Sequence, residues 1–302
     1  MIRFSFQERL NYKQDIYSDL SKKKVVILIN TQTHTIQTPD NFQLQIRTHF
    51  SKQRPKGIII YYHGGGLIAG SPHDLSNEAI QILTHHFHLV EAPYRLAPES
   101  NIYTIINDAF LVFDSTNKMY PDLPIFTFGR SSGGYLALQI ASQRTVKGVI
   151  DFYGYAKVNL PEFKLPHSEF QKKTAHLNSA MIDMMVQSQP VTKGPIQFRY
   201  PLYLYTRGNG QWYEFVSIQD AENPELNLSS LDLKQMPPVF IAHALKDIDV
   251  PFSESERLAQ HIPNSTLITI DSDEHDFDRS FNSDTKAIYF QAEKFLHHCL
   301  KS

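Results

Sequence analysis

The chain has 302 residues, 41% of them hydrophobic and 12% aromatic, with a formal net charge of −2 and a single cysteine, Cys299. That balance excludes a disordered chain and an extended basic surface for nucleic acid, and one cysteine excludes an internal disulfide. The first 14 residues hold no apolar leader core, and no run approaches the roughly 20 apolar residues of a membrane span, so the expectation is a cytoplasmic protein without membrane insertion.

In chain order, residues 25–30, 42–50 and 57–63 read as three early strands separated by polar turn segments. Lys22, Lys23 and Lys24 read as a solvated strand entrance, and Phe4, Phe6 and Tyr12 as residues that dock on the core or contribute to a cap. The third strand runs into His63-Gly64-Gly65-Gly66, a turn whose glycines can bring backbone amides close to an anion. By itself the turn is equally compatible with an ordinary strand end. Residues 74–86 then read as a helix, 87–92 as a strand, 102–117 as a helix and 124–129 as a strand.

That last strand meets Gly129-Arg130-Ser131-Ser132-Gly133, a G-x-S-x-G turn, before a helical pattern over 132–143. A serine on a tight strand-to-helix turn projects its hydroxyl above the sheet, and the following helix offers a positive dipole and the free amide of Ser132. Residues 146–153 read as the next buried strand. Strands alternating with helices imply an α/β fold with a parallel sheet covered on both faces, whose site lies at the carboxyl ends of the strands.

The pattern changes over 154–234, with scattered prolines, a helix-like stretch over 170–186 and an aromatic segment over 198–205. This block is expected to be a cap inserted between two parts of one core, 1–153 and 235–302. Tyr200, Tyr203, Tyr205 and Trp212 line a substrate pocket or pack cap against core, since their period-two spacing fits both. Alternation resumes with a strand at 237–242, a helix at 252–261, a strand at 266–270 and a terminal helix at 284–298.

A serine nucleophile needs a base, and the base needs a carboxylate to orient it. Asp247 follows a strand end, and its D-x-x-V-P spacing favours it over Asp249, which is expected to face solvent or cap the next helix. His275 lies in the loop after the last strand, the place for a base arriving last in the order Ser, acid, His. Its neighbours Asp273, Glu274 and Asp276 are expected to favour the protonated ring and raise its pKa. His85-His86-x-His88 straddles a helix-to-strand boundary without an acidic or cysteine partner at ligand spacing, so no metal set is expected there.

Through His63-Gly64-Gly65-Gly66, Tyr94-Arg95-Leu96-Ala97-Pro98-Glu99 and Gly129-Arg130-Ser131-Ser132-Gly133-Gly134, the sequence resembles the hormone-sensitive-lipase-like branch of the α/β-hydrolase esterases. The resemblance covers nearly the whole core and implies an α/β-hydrolase fold with an inserted cap. It implies Ser131 as nucleophile, His275 as base, Asp247 as orienting acid, and an oxyanion hole from the amides of Gly65, Gly66 and Ser132. It makes His63 a brace for the turn and residues 94–99 a support beneath the site. Arg130 departs from the pattern, since an acidic residue is common there, and Arg beside the serine also occurs in prolyl-oligopeptidase-like peptidases. The expected activity is a serine carboxylesterase for small to medium acyl esters, needing no metal or organic cofactor. Two alternatives stay open: a peptidase or amidase for short peptides, and a non-catalytic ligand-binding protein. Oligomeric state is not legible, and a homodimer is left open.

Overall fold

The structure, a computed structural model, describes residues 30–301. The strand expected at 25–30, the lysine run at 22–24 and Phe4, Phe6 and Tyr12 lie outside these residues, apart from Asn30, which belongs to no strand. Eight strands form one sheet in the order β1-β2-β4-β3-β5-β6-β7-β8. They are β1 Thr31–Gln37, β2 Gln43–His49, β3 Ile58–Tyr62, β4 His88–Ala92, β5 Ile125–Arg130, β6 Val149–Phe152, β7 Val239–Ala244 and β8 Ser265–Ile270.

From β4 through β8 every pairing is parallel, as the alternation predicts, whereas β2 runs antiparallel to both β1 and β4. β1, Thr-Gln-Thr-His-Thr-Ile-Gln, had read as turn sequence. Among the described residues it is a largely exposed edge strand paired only with β2, and it carries no hydrophobic alternation to reveal it.

The central strands are buried along their whole length because both faces are covered. Ile58, Ile60 and Tyr62 of β3 join one core with Ile105, Ala109 and Val112 of helix Ile102–Met119 and Leu136 and Ile140 of helix Ser132–Gln143. Ile59 and Tyr61 point the other way, into a core with Phe126, Phe128, Ile80 of helix Asn77–Leu83 and Tyr289 and Leu296 of helix Ser283–Cys299. The period-two alternation of one strand thus feeds two cores. Among the described residues, no helix is long and apolar enough to cross a membrane.

Residues 154–234 hold short helices and no strand of the sheet. The stretch expected as one helix over 170–186 is two, Ser168–Thr174 and Ser179–Met185, because the Asn178 side chain accepts from the Met181 amide and starts the second afresh. The aromatic segment with period-two spacing is helical, within Ile196–Gly208. Tertiary burial decides its faces: Arg199, Leu202, Tyr203, Thr206 and Arg207 turn inward, while Tyr200 stays exposed.

Candidate active site

At the end of β5 the chain turns so sharply that Ser131 adopts φ 53° and ψ −120°, outside the regions an ordinary residue occupies. The turn is tight because helix Ser132–Gln143 starts against the neighbouring strand: a Cβ on Gly133 would lie 2.0 Å from the Tyr62 carbonyl oxygen. No larger residue fits there. The result is a serine lifted above the strand ends with its Oγ free to meet other loops.

Two of those loops arrive from far along the chain. Ser131 Oγ lies 2.9 Å from His275 Nε2, and His275 Nδ1 lies 2.6 Å from Asp247 Oδ2. Asp247 is held by the amides of Asp249 and Val250, which donate to its Oδ1 at 2.8 and 3.2 Å. Burial disfavours its charge, yet the imidazoles of His275 and His243 keep its carboxyl well below the usual carboxylate range. His275 is the counterpart: burial disfavours the imidazolium, but the Asp247 and Asp249 carboxylates outweigh it and hold the ring at about 9. Asp276 adds to this after those two, so the rise anticipated from its sequence neighbours comes mainly from acids about 26–28 positions away. A base works only when neutral, so kcat/KM should rise with pH through an inflection displaced above 6.5, toward about 9. A pH–rate profile with its lower inflection under about 6 would contradict this electrostatic picture.

The glycine turn lies beside the serine, since a Cβ on Gly64 would be 3.3 Å from Ser131 Cβ. Its carbonyls are tied back. The Gly64 oxygen lies 2.7 Å from His63 Nδ1, and the Gly65 oxygen accepts from the amides of Ile68 and Ala69 at 3.1 and 2.8 Å. In a trans peptide the N–H points opposite to the C=O, so these bonds turn the amides of Gly65 and Gly66 away from them. The positive φ values of 109° and 62° that this requires suit glycine. His63 is itself stacked on Tyr94, whose hydroxyl donates to the His63 carbonyl at 2.7 Å. Burial holds its pKa down at about 4, so the ring is neutral and serves as a brace. Residues 94–99 support this platform: Arg95 pairs with Asp108, and Glu99 with the buried Arg199.

Several participants escape a sequence reading. His243, on β7, places Nε2 2.8 Å from the same Asp247 oxygen that faces His275, and its Nδ1 is 2.7 Å from Ser255 Oγ. Nothing in its local sequence distinguishes it from a core histidine. Asp249 neither faces solvent nor caps a helix, contrary to expectation: it is buried, accepts from the Tyr203 hydroxyl at 2.6 Å and pairs with Arg207. An arginine on a helix 42 residues earlier, invisible at sequence spacing, redirects it. Arg130 is buried and bonds to the buried Asp278 and Tyr61 and to Asp74, which reaches the surface. Asp278 also accepts from Tyr153, whose ring packs edge-on against His275. Arg130 therefore ties the serine turn to the histidine loop.

The space in front of Ser131 is a narrow crevice, too tight in this conformation to admit a water molecule. Tyr155, Phe163, Tyr203, Trp212 and Val250 wall it, with Gly66 and Arg207. Of the aromatic group singled out in sequence, the tertiary structure brings Tyr203 and Trp212 to the site, and Trp212 Nε1 donates to the Gly66 carbonyl at 2.8 Å. The arrangement sets a serine hydroxyl, an imidazole, a carboxylate and two turned amides around one small, largely apolar space.

A family model described as alpha/beta hydrolase fold matches residues 59–278. A solved protein of unknown function from Staphylococcus aureus is 41% identical, with a TM-score of 0.88 over 89% of this chain and 99% of that one. An alpha/beta hydrolase superfamily protein from Enterococcus faecalis is 26% identical, with a TM-score of 0.78 over 90% and 99%. The thermostable carboxylesterase EstE1, from a metagenomic library, shares the fold at 19% identity and a TM-score of 0.63, with 90% of each chain covered. No curated protein matches the sequence.

Proposed function

Because the chain belongs to the alpha/beta hydrolase family, which includes the hormone-sensitive-lipase-like esterases, we propose that it is a serine carboxylesterase for esters of short acyl groups. The observation that carries this reading is the continuous chain Ser131 Oγ, His275 ring, Asp247 carboxylate, at 2.9 and 2.6 Å, facing a glycine turn with two amides free to receive an oxyanion. Ser131 Oγ attacks the ester carbonyl while His275 Nε2 takes its proton, and Asp247 stabilises the imidazolium that forms. The amides of Gly65, Gly66 and Ser132 hold the developing oxyanion. The tetrahedral species collapses to an acyl-enzyme as His275 returns the proton to the leaving alcohol. Water, deprotonated by the same ring, then releases the acid.

Residues 154–234 act as the cap, because Phe163, Tyr203 and Trp212 from this block form the acyl wall. The narrowness of that wall selects the acyl chain. Arg130, engaged with Asp74 and Asp278, lends no support to an amide-cleaving reading.

The test is a series of p-nitrophenyl esters of increasing acyl length beside aminoacyl-anilides, assayed on the full chain. Acetate to butanoate should be the best substrates, with kcat/KM falling by more than about tenfold by octanoate. Turnover of the anilides at rates comparable with the esters would instead favour a peptidase, and turnover of neither would favour a ligand-binding protein.

A further inference from the structure

We propose that His86, Glu293 and His297 form a zinc site that clamps the terminal helix to the core, at the opposite end of the parallel strands from Ser131. His86 lies just before β4 begins, whereas Ser131 follows the end of β5. The proposal therefore concerns a second site and does not depend on the esterase reading.

One carboxylate oxygen gathers two imidazoles. Glu293 Oε1 is 3.0 Å from His86 Nδ1 and 2.8 Å from His297 Nε2, and the two ring nitrogens are 3.3 Å apart. Ligand atoms on a tetrahedral zinc with bonds of about 2.0–2.1 Å stand roughly 3.3–3.4 Å from one another, so a shift of a few tenths of an ångström opens this triangle to the ion. Glu293 and His297, four residues apart on helix Ser283–Cys299, share one face by helical periodicity. His86 comes from the connection after helix Asn77–Leu83, 207 positions before Glu293. No spacing in the sequence could have joined it to them. His88 goes elsewhere, its Nδ1 accepting from the Ser51 amide.

The donor set favours a transition metal over the hard cations. Two imidazoles and one carboxylate suit zinc, whereas magnesium and calcium favour oxygen ligands throughout. The three side chains are 15–27% exposed, so they are held by packing yet open on one side to a water as fourth ligand. The His86 ring is braced by His85 at 4.3 Å between ring centres and that of His297 by Phe87 at 5.2 Å, which orients both without solvating them. Zinc binding needs an unprotonated Nε2 on His297, which moves that ring's proton to Nδ1, where the exposed Lys56 ammonium lies 3.5 Å away. Lys56 must swing outward for the ring to take that proton.

The experiment uses the full chain, stripped with a chelator and dialysed, with zinc chloride as the titrant in calorimetry and in thermal unfolding. Wild type should bind one zinc per chain, and its Tm should rise by about 5 °C at a hundredfold excess over Kd. Glu293→Gln and His297→Ala should each weaken binding by more than about tenfold and lose most of the Tm rise. Should His297→Ala fail to fold, Glu293→Gln carries the test, since it keeps the size of the side chain and its place on the helix. No zinc binding by wild type, or binding by the folded variants equal to that of wild type, would overturn the proposal.

Discussion

Ser131→Ala should lower ester turnover by about 10⁵–10⁶-fold while leaving the melting temperature near that of the wild type. The expectation follows from what Oγ does and does not do in this fold. Its partner is His275 Nε2, and the turn that carries it is held by backbone and by Gly133 against Tyr62. The strained φ of 53° remains after the substitution, because alanine has the same backbone restrictions as serine. What disappears is the attacking atom. A residual rate above the uncatalysed reaction is expected, because the turned amides and the cleft still bind the transition state. Burst kinetics with a p-nitrophenyl ester is the direct measurement, and a variant that retains a burst would remove Ser131 from the role of nucleophile.

Asp247→Asn should cost about 10⁴-fold in kcat, and the reason lies in the direction of its hydrogen bonds. Oδ1 receives the amides of Asp249 and Val250, so the asparagine carbonyl would take that place and its NH₂ would face the imidazoles. Oδ2 now lies 2.6 Å from His275 Nδ1 and 2.8 Å from His243 Nε2. Facing an amide donor, His275 would have to accept at Nδ1 and carry its proton on Nε2, the nitrogen that should take the proton of Ser131. The geometry would survive and the tautomer would be wrong. Removing the carboxylate also removes the largest influence that raises the pKa of His275, so the residual activity should show an inflection at lower pH than wild type. A pH–rate profile of the variant measures both effects. Unchanged kcat would show that Asp247 is not the orienting acid.

Much of the geometry around Ser131 could be read from the chain because the turns that build it make local demands. A nucleophile turn needs small residues within two positions of the serine, and an amide-lined turn needs consecutive glycines after a strand. Both demands are met by neighbours in sequence, as at Gly129-x-Ser131-x-Gly133 and His63-Gly64-Gly65-Gly66. The strand-to-loop positions of Asp247 and His275 were legible for a similar reason. A buried strand shows as an apolar run, and the residue just beyond its end lies at the rim of the sheet.

Other features had no local signature. Among the described residues β1 is a largely exposed edge strand, and its polar sequence holds no hydrophobic alternation to reveal its pairing to β2. The segment 198–205 carried a spurious period of two, which the apolar face of helix Ile196–Gly208 overrode once it packed on the core. Asp249 and Asp247 differ by two positions and carry the same side chain, and only Arg207 and Tyr203 arriving from residues 196–208 draw one of them out of contention.

By itself, then, the amino-acid sequence determined the order of buried strands, the glycine turn and the strained serine, because each rests on covalent neighbours and their allowed backbone angles. The tertiary structure alone decided which long-range charges meet: Arg130 with Asp278, His243 beside Asp247, Asp249 with Arg207, and His86 with Glu293 and His297. The physical reason is that electrostatics act through distance in space. A charge separated by 40 or 200 positions along the chain leaves no periodicity to read, yet at about 3 Å in space it decides which groups pair.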